Sequence, residues 1–455
     1  MRVLLLSYHF PPVGGGGTQR SLKFARYLPE LGCEVVVVTG TGAPSGRWTP
    51  TDETLLEELP ETEVRRVPGP EPLDERWRPR LERWFGLRSE WSRWWVEGAV
   101  RTGAEAGAQA DVILATMSPF NTADAAARLS RQLGVPWVAD LRDPWALDEM
   151  TIYPSVLHRR RELVRMRALL GTAAAVVANT PEAASRIGRL LGSPAGLPVV
   201  PIPNGFDQAD FTAPAPERDE SAFRIVHAGN LHTDLGRQQR RGRLRRLLGG
   251  EIDGVDILTR SHVYLLRAVD RVVARNPSLG SRIELVLVGV LSEGDRLAAA
   301  RSPVVRLVDY QPHDATVALM RSADLLFLPM QNLPAGVRAT IVPGKTYEYL
   351  AAERPILAAV PEGDARDLLL RAGNAHVCAP DDVEGMAAAI EAQIEGTSTL
   401  RARASAELLA RFERRALTAE LASLLDAVAG RHRAATSHAD ATRGSRAAAL
   451  QAAGR

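Results

Sequence analysis

The sequence predicts an α/β protein of two domains, each built on a doubly wound parallel sheet. Short, continuous apolar runs such as 3–6 and 35–38 are typical of parallel strands buried on both faces. Segments with helical periodicity alternate with these runs, which is the pattern of βαβ units. The alternation occurs in two series, joined by a segment at 201–207 that is rich in turn-forming residues.

Length and composition limit the class of protein. The chain has 455 residues, 45% hydrophobic and 24% charged, which is enough for more than one core. With 56 Lys and Arg against 54 Asp and Glu, the net charge of +2 argues against a nucleic-acid partner. Two distant cysteines argue against a disulfide framework. No run is long enough for a signal peptide core or a membrane span, so we expect a cytoplasmic protein.

The first series of elements runs to about residue 200. A glycine run at 14–17 follows the first strand, and Thr18 is predicted to cap the next helix. Leu22, Ala25 and Leu28 then share one face of that helix. The predicted strands of this series are 3–6, 35–38, 112–115, 137–139 and 173–178.

The second series begins near residue 223. Helices are predicted at 261–275 and 346–352. The predicted strands of this series are 224–227, 284–288, 304–307, 325–328 and 355–359.

Three segments depart from this alternation. Six arginines within 237–246 interrupt a strand-to-helix connection, and we expect a solvated, mobile insertion over 236–250. The segment 431–455 has almost no large apolar residue and is predicted to be a disordered tail. The third segment, 73–97, is rich in tryptophan.

The tryptophan-rich segment allows two interpretations. Trp77, Trp84, Trp91 and Trp95 recur at helical spacing with arginines between them, which suits peripheral contact with the inner face of a membrane. The alternative is that these side chains pack on the first sheet, as helical aromatics usually do. Four glutamates in the segment favour that alternative, because they would oppose anionic lipid.

Gly15 and Gly16 are candidate binding residues. A glycine run between a strand and a helix lets backbone N–H groups approach an anion at the helix N-terminus. A dinucleotide fingerprint would need a third glycine where Gln19 stands and an acid near Thr39, and the chain has neither. A flexible loop without a ligand is the other interpretation.

Several motifs, in a fixed order from about residue 1 to 412, resemble glycosyltransferase family 4, whose members have the GT-B fold. The opening SYHFPPVGGGGTQRSLKFARYLPELGCEVVVVTG at 7–40 is the longest of them. The others are VADLRDPW at 138–145, VANTPE at 177–182, NGFD at 204–207, SADLLFLP at 322–329, KTYEYLAA at 345–352 and PIL at 355–357.

The resemblance implies two Rossmann-like domains that face an interdomain cleft. Residues 1–205 would bind the acceptor, 206–403 the nucleotide-sugar, and a helix at 404–430 would cross back to the first domain. The family transfers sugar from a nucleoside-diphosphate sugar to a hydroxyl acceptor with retention, and it needs no metal or other cofactor. The acceptor would be a glycan, a lipid-linked sugar or a small molecule in polysaccharide, glycolipid or metabolite biosynthesis.

On the donor side, Glu348 matches the second glutamate of the family's paired-glutamate motif, which accepts hydrogen bonds from the ribose hydroxyls. The first glutamate would stand eight residues earlier, where this chain has Thr340. Backbone groups of Pro343 and Gly344 are candidate substitutes at the transferred sugar. Lys345, just before the helix that carries Glu348, is a candidate diphosphate ligand. An exposed helix charge is the alternative for both Glu348 and Lys345.

The family's usual Arg and Lys after the first strand of the second domain are missing here, because Asn230 and Leu235 occupy those positions. A subset of the family places one arginine just before the following helix, which here is Arg260. We therefore expect Arg260 to bind the leaving diphosphate, with Arg237 as the alternative ligand. A solvated charge beside a helix start is the other interpretation of Arg260. The segment 309–313 resembles the loop that meets the nucleobase, and a plain turn is an equally good interpretation.

On the acceptor side, Arg142 and Asp143 follow a strand end, where α/β sites form. A capping aspartate in a structural salt bridge is the alternative for Asp143. His9 follows the first strand and is a third candidate, although a lone histidine is more often structural. Retaining transfer in the family is usually argued without a protein nucleophile, so none is assigned.

Two functions besides glycosyl transfer stay open. Thr340 and the missing cations allow a non-catalytic protein of the same fold that binds a sugar-nucleotide or a glycan. A sugar-nucleotide epimerase can share the fold as well. Donor binding without turnover would indicate the first, and nucleotide release without an acceptor the second.

Overall fold

Two parallel sheets, each covered by helices, confirm the predicted α/β architecture. The computed structural model describes residues 1–43, 50–59, 62–72, 89–192, 197–213, 221–401 and 403–453, with 439–453 described by their backbone alone. None of the described helices is long and apolar enough to cross a membrane.

The first sheet has seven strands, all paired in parallel. They are β1 (Arg2–Ser7), β2 (Glu34–Thr39), β3 (Glu63–Arg66), β4 (Val112–Met117), β5 (Trp137–Leu141), β6 (Ala175–Ala178) and β7 (Val199–Pro201). Their spatial order is β3-β2-β1-β4-β5-β6-β7, so the direction of winding reverses between β1 and β4. Ligands bind at such a reversal, outside the carboxyl ends of the strands.

Among the described residues, five helices accompany this sheet. They are α1 (Gly16–Glu30), α2 (Glu90–Ala106), α3 (Thr122–Leu133), α4 (Val156–Leu170) and α5 (Pro181–Leu191). Short 3-10 turns lie at Glu53–Leu56, Trp145–Leu147 and Gln208–Phe211.

The second sheet has six parallel strands in the order β10-β9-β8-β11-β12-β13. They are β8 (Phe223–Ala228), β9 (Ile283–Val288), β10 (Val305–Val308), β11 (Leu325–Pro329), β12 (Ile356–Ala359) and β13 (Ala375–Cys378). The helices are α6 (Thr233–Arg241), α7 (Arg243–Leu247), α8 (Val263–Arg275), α9 (Glu293–Ala299), α10 (His313–Arg321), α11 (Lys345–Ala351), α12 (Asp364–Ala372), α13 (Val383–Ile394), α14 (Ala406–Ala410) and α15 (Arg414–Ala453).

The last helix, α15, packs on the first sheet, although it follows the second domain in the chain. Leu417, Leu421, Leu425 and Val428 of α15 are buried in one cluster with residues of β1 and α1. Their spacing of four, four and three residues keeps them on one face of the helix. This apolar face is what makes α15 cross back to the first domain.

Three expectations about the C-terminal part and the insertion differ from the structure. The helix expected over 404–430 is interrupted between α14 and α15. The tail expected to be disordered continues α15 as far as Ala453, because Ala and Arg are strong helix formers even without a core to pack on. The insertion expected to be mobile is helical, and Gln239 within it is buried against the carbonyl of Val255 at 2.8 Å.

The start of α1 is a further correction. The helix begins at Gly16, two residues before the predicted cap, and Thr18 is buried inside its first turn. Gly15 takes the N-cap position with φ +88°, a conformation that residues with a side chain rarely adopt.

The tryptophan-rich segment is described only from residue 89 onward, so Trp77 and Trp84 lie outside the described residues. Trp91 and Trp95 both face inward from α2 and pack around Tyr8 at ring-centroid distances of 5.1 and 5.2 Å. The indole N–H of Trp95 donates to the hydroxyl of Thr122 at 3.0 Å. These two side chains therefore belong to the core, and the membrane interpretation fails for them.

We predict that Trp95→Ala lowers the free energy of unfolding by about 3–5 kcal/mol, the usual cost of removing a fully buried tryptophan. The melting temperature, followed by circular dichroism, measures the loss. Trp94→Ala is the matched control, because Trp94 is half-exposed on the same helix and should cost much less. Equal losses in the two variants would contradict the assignment of Trp95 to the core.

Candidate active site

The candidate active site lies where loops from the two sheets meet. Arg260, just before α8, places its Nη1 3.0 Å from the sulfur of Met150, which follows β5. Thr180, at the start of α5, donates from its hydroxyl to the carbonyl of Thr340 at 2.8 Å. Because ligand sites in doubly wound folds form from such loops, this cleft is the expected place for substrates.

Lys345 begins α11 and reaches the end of β8. Its Nζ lies 3.1 Å from Nε2 of buried His227, whose Nδ1 lies 3.0 Å from the carbonyl oxygen of Phe327. The imidazole therefore donates from Nδ1 and accepts the lysine at Nε2. Burial, and then the charge of Arg260, lower the pKa of Lys345 to about 7 against the opposing charge of Glu348.

Arg260 and His232 lie beside Lys345, and we call these three residues the basic cluster. Burial lowers the pKa of Arg260, and burial with the charges of Arg260 and Lys345 lowers the pKa of His232 to about 3. His232 Nδ1 and Nε2 of Gln331 are buried without a hydrogen-bond partner among the described residues. An anion with several acceptor oxygens would satisfy these nitrogens and offset the repulsion between the cations.

Arg237, the alternative phosphate ligand, lies outside the basic cluster. It is on α6 and lines a surface groove of about 420 Å³ in which acidic and basic side chains are mixed. The other lining residues are Asp234, Gln238, Arg241, Arg245, Glu293, Gly294 and Leu297. Of the two candidate arginines, only Arg260 is thus beside Lys345.

Glu348 lies one turn beyond Lys345 on α11 and is joined to the last helix. Arg414, the first residue of α15, places Nη2 3.3 Å from Glu348 Oε1 and Nη1 3.4 Å from Gln19 Oε1 on α1. The Arg414 side chain is only 6% exposed, so this link between α1, α11 and α15 is shielded from solvent. The side chain of Glu348 is mostly buried at the same place, at 16% exposure.

The two backbone candidates precede Lys345. Gly344 is the N-cap of α11, and the carbonyl of Pro343 accepts from the backbone N–H of Thr346 at 2.9 Å. A Cβ built on Gly344 would lie 3.7 Å from the amide nitrogen of Asn204, so the loop lies close to the link between the domains.

Thr340 is fully buried and is held by a carboxylate of the first domain. Its hydroxyl donates to Glu149 Oε2 at 2.7 Å and its backbone N–H to Glu149 Oε1 at 3.1 Å. Arg186 Nη1 lies 3.2 Å from the same carboxylate. Where the family's motif has a glutamate, this chain therefore has a threonine bound to a glutamate that comes from across the cleft.

Gly15 and Gly16 face open space, because a Cβ built on either would meet no atom within 4 Å. Gly14 is different, since the hydroxyl of Tyr310 lies against it and is 3.2 Å from Asp52 Oδ2. Tyr310 belongs to the second domain, so the glycine run is itself at the cleft. The loop at 309–313 also places His313 Nε2 2.9 Å from Asp210 Oδ2.

The guanidinium of Arg142 is hydrogen-bonded to backbone carbonyls. It donates to the carbonyls of Met117 and Gly17, and its Nη2 to Ser118 at 3.3 Å. Arg142 thus ties the glycine run to the end of β4. Burial and the charge of Arg142 lower the pKa of His9 to about 3, so His9 is neutral at physiological pH.

Asp143 is exposed at the cleft, and its charge acts on both Arg260 and Asp148. Asp148 accepts a hydrogen bond from the backbone N–H of Met150 at 2.8 Å. Burial, helped by the charges of Asp143 and Glu149, raises the pKa of Asp148 to about 7. The structure therefore brings Asp143 toward Arg260, while Arg142 and His9 are grouped at the glycine run.

Sequence reasoning missed Glu149, Asp148, His232, Gln331 and Arg414. Glu149 is 191 residues from Thr340, so only folding makes the contact visible. One signal was available, because Lys23 and Lys345 are the only lysines in a chain with 56 basic residues. Each is largely buried with specific partners, and Lys23 Nζ lies 2.8 Å from Asp207 Oδ2.

These features define a two-domain protein of the GT-B type with buried basic side chains in its cleft. Residues 15–205 match the family model "Glycosyl transferase 4-like domain" and residues 257–395 match "Glycosyl transferases group 1". Together the two matches span most of the chain, and the protein belongs to the GT-B glycosyltransferases of the family 4 type. No curated protein matches the chain by sequence.

Solved structures with the same fold agree. HepE of Anabaena, in complex with UDP and glucose, is 17% identical with a TM-score of 0.58, over 94% of this chain and 100% of that one. A glycosyltransferase of Rickettsia africae is 11% identical with a TM-score of 0.60, over 94% and 98%. Sucrose-phosphate synthase of Thermosynechococcus elongatus is 16% identical with a TM-score of 0.55, over 97% and 99%.

We predict that Glu149→Gln and Thr340→Val are energetically coupled. Glu149→Gln removes the charge of the acceptor and Thr340→Val removes the hydroxyl donor of a buried charge-assisted hydrogen bond, and each should cost about 1–3 kcal/mol alone. The double variant should lose less than the sum, with an interaction energy of about 1 kcal/mol, measured from urea unfolding of all four proteins. Glu353→Gln, on the exposed pair with Arg403, is the matched control and should add to Thr340→Val without coupling.

Additive losses for Glu149 and Thr340 would mean that the bond across the cleft contributes nothing to stability.

Proposed function

We propose that the chain is a cytoplasmic, metal-independent, retaining glycosyltransferase that moves a hexose from a nucleoside-diphosphate sugar to a hydroxyl acceptor. Polysaccharide, glycolipid or glycosylated-metabolite synthesis is the proposed context. The observation that carries the proposal is the basic cluster, in which two cations and unpartnered nitrogens meet beside the N-terminus of α11. That arrangement suits the diphosphate of a donor.

The basic cluster would act on the leaving group. When the bond between the sugar and the diphosphate breaks, negative charge grows on the phosphate oxygens. Lys345, held by His227, keeps two of its three N–H donors for those oxygens, and Arg260 adds a planar guanidinium. No metal is needed to balance the charge in this proposal, and turnover is therefore expected to survive chelation.

Glu348 would receive the ribose hydroxyls of the donor, since an ionised carboxylate accepts hydrogen bonds. Arg414 orients it from the outside of the site. Thr340 brings no carboxylate of its own to the transferred sugar, so Pro343 and Gly344 are the proposed contacts there. Glu149 would act as a positioning residue, because it fixes the loop that carries them.

The acceptor would enter between the glycine run and Asp143. Its hydroxyl oxygen forms the new bond to the anomeric carbon on the face that the diphosphate leaves, and its proton passes to a departing phosphate oxygen. Neutral His9 and exposed Asp143 would orient the acceptor, and Arg142 would hold Gly15 and Gly16 in place for the donor. The proposal includes peripheral membrane contact, but the contacting surface would not contain Trp91 or Trp95, because both side chains are buried.

Two other functions remain to be separated by experiment. A non-catalytic sugar-nucleotide or glycan-binding protein would bind donor without releasing nucleoside diphosphate. An epimerase would release or interconvert the nucleotide-sugar without an acceptor. Incubation with UDP-glucose, with and without candidate acceptors, distinguishes both from a transferase, and UDP-glucose is the first donor to try because HepE has been solved in complex with it.

We predict that Arg260→Met and Glu348→Gln each weaken UDP binding by tenfold or more, about 1.4 kcal/mol, because each removes a charged partner of the donor. Calorimetry with UDP measures the change. Arg237→Met is the matched control for Arg260 and should bind UDP normally. Loss of binding in Arg237→Met with none in Arg260→Met would transfer the phosphate role to Arg237.

We predict that UDP binding weakens by about tenfold between pH 7 and pH 8.5, because Lys345 has a pKa of about 7 and only its charged form favours the diphosphate. The terminal phosphate of UDP, with a pKa of about 6, stays ionised over this range. Asp148 also titrates near pH 7 beside Arg260 and adds to the loss. The variant that combines Lys345→Arg with Asp148→Asn should therefore bind UDP with little pH dependence. An unchanged pH dependence of UDP binding in that variant would refute the assignment of Lys345 to the diphosphate.

A further inference from the structure

Six of the eleven exposed large apolar side chains among the described residues belong to two helical segments that meet at their ends. They lie on α4 of the first domain and on or after α7 of the second, and we call this the apolar-basic face. Its members are Val156, Leu157, Val164, Leu244, Leu247 and Leu248. The two segments meet end to end, because the backbone N–H of Val156, at the start of α4, donates at 2.9 Å to the carbonyl of Leu248, the residue after α7.

The helix α7 buries none of its own residues. Leu244 is 66% exposed and Leu247 is 83% exposed, so neither contributes to the core. On α4, Leu157 and Val164 are seven residues apart and 68% and 69% exposed, which puts them on the same outward side of the helix. Apolar groups that are this exposed lower their free energy by leaving water.

The same face is strongly basic. Helices α4 and α7 together carry eight arginines, of which Arg165 pairs with Asp124 at 2.6 Å and Arg246 lies 3.9 Å from Glu251, and the helices themselves contain one glutamate. That glutamate, Glu162, is already bound to the indole N–H of Trp145 at 2.8 Å and to Arg165 at 2.9 Å. Arg160 and Arg161 are exposed between Leu157 and Val164, and Arg243 and Arg246 flank Leu244. Apolar side chains interleaved with arginines suit an anionic bilayer surface.

We propose that the apolar-basic face binds the surface of a membrane that contains anionic lipid. Leucines would enter the headgroup region while the arginines contact the phosphates. A nucleic acid would use the arginines and leave the leucines in water, so a bilayer accounts for more of the face. The start of α4 lies near the cleft, since the charges of Asp148 and Glu149 act on Arg159. If the proposed function holds, a bound membrane would present acceptor at the cleft.

The test is sedimentation of the whole protein with vesicles of phosphatidylcholine containing about one third phosphatidylglycerol. We expect the protein to bind these vesicles at about 0.05 M salt. Binding should fall severalfold when the salt is raised to about 0.5 M, and also when the vesicles contain phosphatidylcholine alone. Leu244→Gln with Leu247→Gln should weaken partition by about tenfold or more. Because these leucines touch no core, its melting temperature should equal that of the wild type. Leu31→Gln with Leu370→Gln, at exposed leucines elsewhere, is the matched control and should bind normally.

The proposal would be overturned if the wild type did not sediment with vesicles at low salt. It would also be overturned if both leucine pairs lost vesicle binding equally. A third contrary result is loss of vesicle binding in Arg160→Gln with Arg243→Gln but not in the Leu244 and Leu247 variant. The last would indicate a polyanion site without insertion. UDP binding, measured on the same proteins, separates this outcome from the proposed function. Wild-type protein that sediments with vesicles but does not bind UDP would refute the transferase and leave the membrane face standing.

Discussion

The buried positive charge of the basic cluster is the constraint on which the rest of the cleft depends. Lys345 and Arg260 are both buried, and the loss of hydration lowers the pKa of each; the charge of Arg260 lowers the pKa of Lys345 further. The surrounding residues limit this cost without removing it. His227 accepts one lysine N–H, and Gln331 accepts from Arg260. In the proposed function, the diphosphate of the donor would bring negative charge to these cations.

Contacts across the cleft hold this site in shape. The last helix begins at Arg414, which joins Gln19 to Glu348, and its apolar face is buried on the first sheet. On another side of the cleft, Glu149 binds the Thr340 loop. The domains are thus connected through the loops that would hold donor, and a change in their relative position would alter the donor site at once. Buried charged bonds of this kind give orientation more than net stability.

Features that depend on local interactions could be predicted from the sequence, and features that depend on distant residues could not. Central strands were predictable because burial on both faces leaves a continuous apolar run. The edge strands β3 and β7 were not, since β3 reads Glu-Val-Arg-Arg and β7 has three residues. The placement of Lys345 and Glu348 at one helix was predictable from one short motif. Glu149 and Arg414 were not, because they act on residues 191 and 66 positions away. The helical insertion was unpredictable for a similar reason, as Gln239 pairs with a later loop.

The central claim is that Lys345 is a lysine of depressed pKa that binds the donor's diphosphate. The chain has only two lysines, so protein labelled with carbon-13 at lysine Cε gives two NMR signals, and Lys345→Arg identifies them. A titration of the Lys345 signal should give a pKa of about 7 in the free protein. With saturating UDP, the account predicts a rise of about two units or more, because an adjacent diphosphate favours the ammonium. A Lys345 signal whose titration is the same with and without UDP would contradict it.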